Sequence, residues 1–282
     1  MYRSILVIAD QDCNQRAAMR KARSAAFCDG VDISVVASVQ PCAGGAADTT
    51  GEKNTEMQQA IDTVFAGIKK VSYDVAATHD IAAFSKALAL ENDIDLVIKT
   101  GNRTESLFHT PLDCRLLREL ECPVMISTSL EWRAKQHTLV TVDINSKKAH
   151  PIALNAKVPN GEAGWPQTQR CELHVAFCID VPKAMIELDV ISKNEVLVKK
   201  EKEMTEKLQP FLDEHDVTCS SISFDAGNPR RLLSSLANSL KSDLVVLNSV
   251  GRKGIKGTLL VNTAEKVMSK LRTDLFVVHP YQ

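Results

Sequence analysis

Two apolar runs that each end in aspartate, Ile5-Leu6-Val7-Ile8-Ala9-Asp10 and Leu139-Val140-Thr141-Val142-Asp143, open the same succession of strands and helices twice in one chain. A repeat of this kind sets the number of domains before any local detail is read. In the first half, strands are predicted at 5–10, 31–39, 73–78, 95–98 and 124–126. Between them run helical patterns marked by Ala18, Ala22 and Ala25, then by Met57, Ile61, Val64 and Ile68, then by Ile81, Phe84 and Leu88. Residues 40–54, rich in Gly, Ala and Thr, read as a loop. The second half repeats the order, with strands at 138–143, 172–178, 218–224, 244–247 and 275–278. Leu197, Met204, Leu208 and Phe211 mark a helix between the second and third of them. Asn228 and Pro229 give a helix its cap and first residue, ahead of Leu232, Leu233, Leu236 and Leu240. Asp243 heads its strand as Asp95 heads the matching one.

Regular alternation of strand and helix predicts a parallel, doubly wound sheet in each half. The join falls near 129–136, where Trp132 and several charges interrupt the apolar strands, so the expected domains are 1–130 and 136–282. Ligands of such sheets lie outside the carboxyl ends of the strands, at the point where strand order reverses. That puts Asp10 near one candidate cleft, and Asp143 with the loop around Gly251 near the other.

Residues 242–280 form the most informative stretch. An apolar strand leads into a loop with Gly251, Gly254 and Gly257, then Asn262 and a helix whose apolar face is Ala264, Val267, Met268 and Leu271. A last strand closes a right-handed βαβ unit. Glycines let backbone amides approach an anion, and a helix N-terminus offers unpaired N–H groups to it. Arg252, Lys253 and Lys256 add positive charge. Simple capping by Asn262, with Glu265 three residues on, accounts for the same residues equally well.

Composition narrows the function classes. A formal net charge of -1 gives no footprint for a nucleic-acid partner. No apolar run reaches the length of a membrane span, and the run before Asp10 is a strand rather than a signal peptide, so a cytoplasmic protein is expected. None of the eight cysteines forms a C-x-x-C pair. Cys171 and His174, three apart on a strand, face opposite ways, so reduced cysteines and no metal site are expected. There is no nucleophile elbow, His-rich metal pattern or P-loop lysine, which argues against an enzyme.

The run GRKGIKGTLLVNTAEKV, set between DLVVL and DLFVVHP, resembles the C-terminal signature of the universal stress protein family. With FHTPLDCRLLRELECPVMI in the first half, the resemblance covers nearly the whole chain and is to the tandem members of that family. It implies two flavodoxin-like or Rossmann-like domains of the adenine nucleotide alpha hydrolase type, each a five-stranded parallel sheet flanked by helices. It also implies an adenine-nucleotide site, for ATP or another adenine nucleotide. Asp143 would lie by adenine and ribose, Val175 would pack on the adenine through its backbone region, and Gly251, Gly254, Asn262 and Thr263 would face the phosphates. The family pattern is Gly-x-x-Gly, nine residues, then Gly-Ser or Gly-Thr. Here Asn248 and Val261 stand for two of the glycines and Asn262 for the hydroxyl residue, so weak binding is expected. The family further implies that the halves associate as an internal pseudo-dimer through their last strands. The expected role is a non-catalytic ligand-sensing or interaction scaffold in the stress response. The alternatives are a pocket for an apolar small molecule under loops 40–54 and 180–194, and a nucleotide hydrolase.

The first half lacks the glycine loop. Its counterpart reads TGNRTESLFHTPLDC, with Thr110 as cap, Pro111 at the first helical position and Asp113 in the first turn. The Asp113 carboxylate is expected where a phosphate would otherwise sit, and would repel one. Arg103, His109, Arg115 and Arg118 read as surface charges, with His109 beside the helix start.

Overall fold

Near-continuous runs of Val, Ile and Leu suit strands buried on both faces, as a parallel sheet with helices on either side requires. A computed structural model describes residues 2–9, 16–26, 30–39, 48–101, 112–133, 135–141, 170–179, 193–214, 218–226, 229–248, 264–265, 267–268 and 270–278. They fall into two units, the first ending at Trp132 and the second beginning at Arg133.

The first unit comprises β1 (Ser4–Ala9), α1 (Ala17–Ala25), β2 (Asp32–Val39), α2 (Asp48–Val64), β3 (Lys70–Ala77), α3 (Ile81–Glu91), β4 (Leu96–Thr100), α4 (Leu112–Glu119) and β5 (Val124–Ser127). Its strands are all parallel, in the order β3-β2-β1-β4-β5. The second unit comprises β6 (Lys135–Thr141), β7 (Arg170–Ile179), α5 (Lys193–Glu214), β8 (Ser221–Ala226), α6 (Pro229–Ser239), β9 (Leu244–Asn248) and β10 (Asp274–Val278). Residues 264–265 and 267–268 are helical. Its order is β8-β7-β6-β9-β10, again all parallel. Each unit therefore runs third, second, first, fourth, fifth. Of the two common doubly wound orders this is the Rossmann one; in the flavodoxin order the third strand lies beside the first.

The two units match residue by residue at their first strands. Asp95 Oδ2 accepts hydrogen bonds from the backbone N–H groups of Arg3 at 2.8 Å and Ser4 at 3.1 Å. Asp243 Oδ2 accepts from the N–H of His137 at 2.9 Å. In return the Asp95 N–H donates to the Ser4 carbonyl and the Asp243 N–H to the His137 carbonyl. Ser4 and His137 are therefore equivalent positions, and the aspartate before each fourth strand pins the start of the first.

Packing follows the pattern read from the residues. Ile5, Leu6, Val7, Val97 and Ile98 in one unit, and Leu139, Val140, Val245 and Val246 in the other, are fully buried. The α1 face is made of Ala17, Ala18, Ala22 and Ala25, whose small side chains let the helix lie close to the sheet. Helix α2 begins at Asp48, inside the stretch predicted as loop. Its buried face of Met57, Ala60, Ile61 and Val64 carries the helix back past Gly51, since tertiary packing outweighs local propensity. At the junction, Lys21 places its ammonium 4.0 Å over the Trp132 ring, while Arg133 pairs with Asp243 at 2.9 Å. Neighbouring residues are thus tied to different units.

Candidate functional site

In the first unit, strand order reverses between β1 and β4, so a ligand would be sought at their carboxyl ends. The described side chains at the end of β4 are buried and paired with one another. Lys99 and Asp113 are 1% and 2% exposed, with the Lys99 ammonium 3.1 Å from the Asp113 carboxylate. The ammonium also donates to the Thr100 carbonyl at 2.5 Å. Asp113 stands in the first turn of α4, where the helix dipole favours negative charge. Thr100 Oγ1 accepts from the N–H of Ala18 in the first turn of α1, at 3.2 Å. Gly101 follows β4 and packs closely on β5. Its N–H donates to the Ser127 carbonyl at 2.8 Å, and a Cβ there would come within 2.8 Å of Ile126 Cγ2. The expectation that Asp113 holds the phosphate position by its own carboxylate thus finds a buried, paired carboxylate at that helix start.

Registers identify the counterparts in the second unit. Val97 pairs with Val124 as Val245 pairs with Leu275, so Lys99 corresponds to Leu247, and Asp113, eleven residues before Val124, to Ala264. Leu247 is 1% exposed and Ala264 0%. An ion pair in one unit is replaced by two apolar residues in the other. At the same edge Thr141 Oγ1 donates to the Val246 carbonyl at 3.3 Å. Asp143, Gly251, Gly254, Asn262 and Thr263 lie outside the described residues, as do Asp10, His109 and Val261. Val175 is fully buried in the middle of β7, paired with Val140 and Ile222. Arg115 is a surface group as expected, bound to Asp80 and Glu119 at 2.9 Å each.

A second cluster lies at the opposite, amino ends of the strands in the second unit. His137 on β6 is directly opposite Glu172 on β7, and His174 is directly opposite Ser221 on β8. Alternation along β7 puts Glu172 and His174 on one face. His137 Nδ1 lies 3.1 Å from His174 Nε2 and 3.4 Å from Glu172 Oε2. The ring planes differ by 5° with centroids 5.4 Å apart, so the rings meet edge to edge and share one N–H···N bond. His174 Nδ1 is 2.8 Å from Ser221 Oγ, and Glu172 Oε1 is 2.5 Å from Lys135 Nζ. Burial, and then His137, hold the His174 pKa below the usual imidazole value. The hydrogen bond from Lys135 holds Glu172 below the usual carboxylate value. Reading the sequence for local spacing missed this cluster, because its members meet only through the register of three strands. The signal available was Glu-x-His on a strand, one strand after a histidine at a strand start.

Two units, each with five parallel strands in one order and a switch point at their carboxyl edge, define a tandem α/β protein of Rossmann type. The universal stress protein family model matches residues 136–279, and the chain belongs to that family. Universal stress protein E of Salmonella typhi is 31% identical over 201 residues, 66% of this chain and 61% of that protein, so the match spans about three fifths of the relative's length. The protein of the same name from Photorhabdus laumondii subsp. laumondii is 24% identical over 99% of this chain and 95% of its own. Among solved structures, a protein of unknown function from Pseudomonas aeruginosa PAO1 superposes with a TM-score of 0.72 at 21% identity, covering 99% of this chain and 93% of its own. A universal stress protein from Archaeoglobus fulgidus DSM 4304 gives 0.58 at 14% identity, covering 98% and 96%. These structural likenesses speak for the fold.

Proposed function

We propose that this chain is a non-catalytic sensor or interaction scaffold of the stress response, whose small-molecule ligand binds in the second unit alone. The carrying observation is the pair of equivalent sites: Lys99 with Asp113 in one unit, Leu247 with Ala264 in the other. A buried carboxylate at the start of α4 repels a phosphate, whereas an alanine at the matching position leaves helix amides available to one. An adenine nucleotide is the ligand class that the family resemblance suggests. Asp143, Gly251, Gly254, Asn262 and Thr263 are the residues to hold it, weakly because Asn248 and Val261 replace glycines. The absence of a base and nucleophile at a common spacing supports binding without turnover. Among the described residues no helix is long and apolar enough to cross a membrane. The cytoplasm is the compartment proposed.

Mass spectrometry of small molecules retained by freshly purified full-length protein, with backbone hydrogen exchange before and after their removal, tests this reading. Protection confined to residues after Arg133 is expected. Ligand-dependent protection around Lys99 and Asp113, or steady release of a hydrolysed nucleotide, would overturn it.

A further inference from the structure

The amino ends of β6, β7 and β8 carry a set of groups that the fold itself does not call for. The duplication supplies the comparison. Register makes Ser4 the counterpart of His137, Asp32 of Glu172, Ser34 of His174 and Ser72 of Ser221. The first unit thus builds the same corner from three serines and an aspartate, and even keeps a side-chain hydrogen bond from Ser72 to Ser34, 3.2 Å long. Two imidazoles replace two of the serines in the second unit only.

From this arrangement we propose a binding site for a divalent transition metal of the zinc class, formed by His137 Nδ1, Glu172 Oε2 and His174 Nε2. The three atoms lie within 4.8 Å of one another. Two of their separations, 3.1 and 3.4 Å, are near the edge of about 3.3 Å that a tetrahedron with zinc–ligand bonds of about 2.0–2.1 Å would have. Two imidazoles and one carboxylate are a donor set that zinc accepts with its fourth position left to water. Each end of the set is held from behind, as metal ligands are. Ser221 Oγ stands at the far nitrogen of His174, and Lys135 holds the oxygen of Glu172 that the metal would leave unused. The metal displaces the proton that the two rings share, and the rings turn out of line to aim their lone pairs at it. His137, partly exposed at 23% of its side chain, is the ring with room to turn. The site lies at the amino ends of the strands, and the candidate ligand cleft at their carboxyl ends, so the two are separate.

Serine is the natural replacement, because the first unit already tolerates it at both histidine positions. Full-length protein stripped by a chelator is titrated with Co2+, followed by visible absorption, and then with Zn2+ as competitor. Wild type should bind one Co2+ per chain with intense d–d bands of a four-coordinate ion and release it to Zn2+. His137→Ser and His174→Ser should each lower affinity at least a hundredfold. Ser221→Ala, which leaves all three ligands in place, should lower it roughly 10–100-fold. Absence of binding by wild type at 100-fold excess over about micromolar metal, or unchanged affinity in the folded variants, overturns the site. Retained affinity in Ser221→Ala overturns the assignment of His174 as a ligand held through its other nitrogen.

Discussion

The Lys99 ammonium stands 3.1 Å from the Asp113 carboxylate, where register gives the second unit Leu247 and Ala264 instead. Removing one partner leaves an uncompensated buried charge. Lys99→Leu or Asp113→Ala alone should lower stability by about 3–5 kcal/mol. The double change, which installs the second unit's own pair, should be close to neutral or stabilising, since apolar residues often replace a buried ion pair without loss. Urea unfolding of the three variants followed by circular dichroism measures this. Single and double variants that lose the same amount would show that the pair contributes nothing beyond its packing.

Replacement of two family glycines predicts the affinity for ATP. Asn248→Gly with Val261→Gly should strengthen binding by about tenfold or more, because both changes restore the family's glycines, which let backbone amides approach a phosphate. Titration calorimetry compares the double variant with wild type. Tight binding by wild type, or no gain in a folded double variant, would refute the steric explanation.

Cys122 should be nearly inert. Burial is the main cause that pushes its thiol up to about 11, with Asp95 and Glu121 adding to it. At pH 8 its thiolate is then roughly two hundred times scarcer than that of a free cysteine near 8.5, and alkylation is slowed to match. A timed iodoacetamide pulse followed by peptide mass spectrometry reads the rate at this residue. Modification at the rate of a free thiol would contradict the burial.

Asp80 links α3 to α4 and responds to acid. The Arg115 guanidinium, followed by the Ala83 N–H, lowers its pKa from 3.8. A depressed folded value means that the pair stabilises the native state above the ordinary carboxylate range and loses that contribution as pH falls through the folded pKa. Arg115→Gln should therefore flatten the fall of Tm below about pH 4 relative to wild type. Parallel thermal melts at pH 2.5, 4 and 6 decide it: equal slopes in both proteins would remove Asp80 from the acid response.

How far the residues alone reveal this molecule depends on whether a feature is local. Apolar runs such as Leu244 to Leu247 announce buried parallel strands, and the Thr110-Pro111-Leu112-Asp113 start identifies both a helix and its carboxylate. Helix α2 was less visible, because Thr49, Thr50 and Gly51 favour a loop and only packing by Met57 and Ile61 extends it. Lys99 at the end of an apolar strand looks like a residue reaching for water, and its burial appears only once Asp113 is brought beside it. His137 and His174 are separated by an unrelated stretch of chain, and only pairing of β6 with β7 joins them.

Parallel strands all begin at one edge of a sheet and finish at the other, which gives the second unit two poles. His137, the third residue of β6, and Thr141, its last, are about 13 Å apart at the usual rise of a strand. That exceeds a screening distance of about 8 Å in physiological salt, so a change of charge at one pole is felt only faintly at the other through solvent. A ligand at one end would consequently bind independently of one at the other unless the sheet itself shifts. Serine at 137 or 174 should silence one pole while the other keeps its full response, which makes the second unit separable by mutation into two instruments.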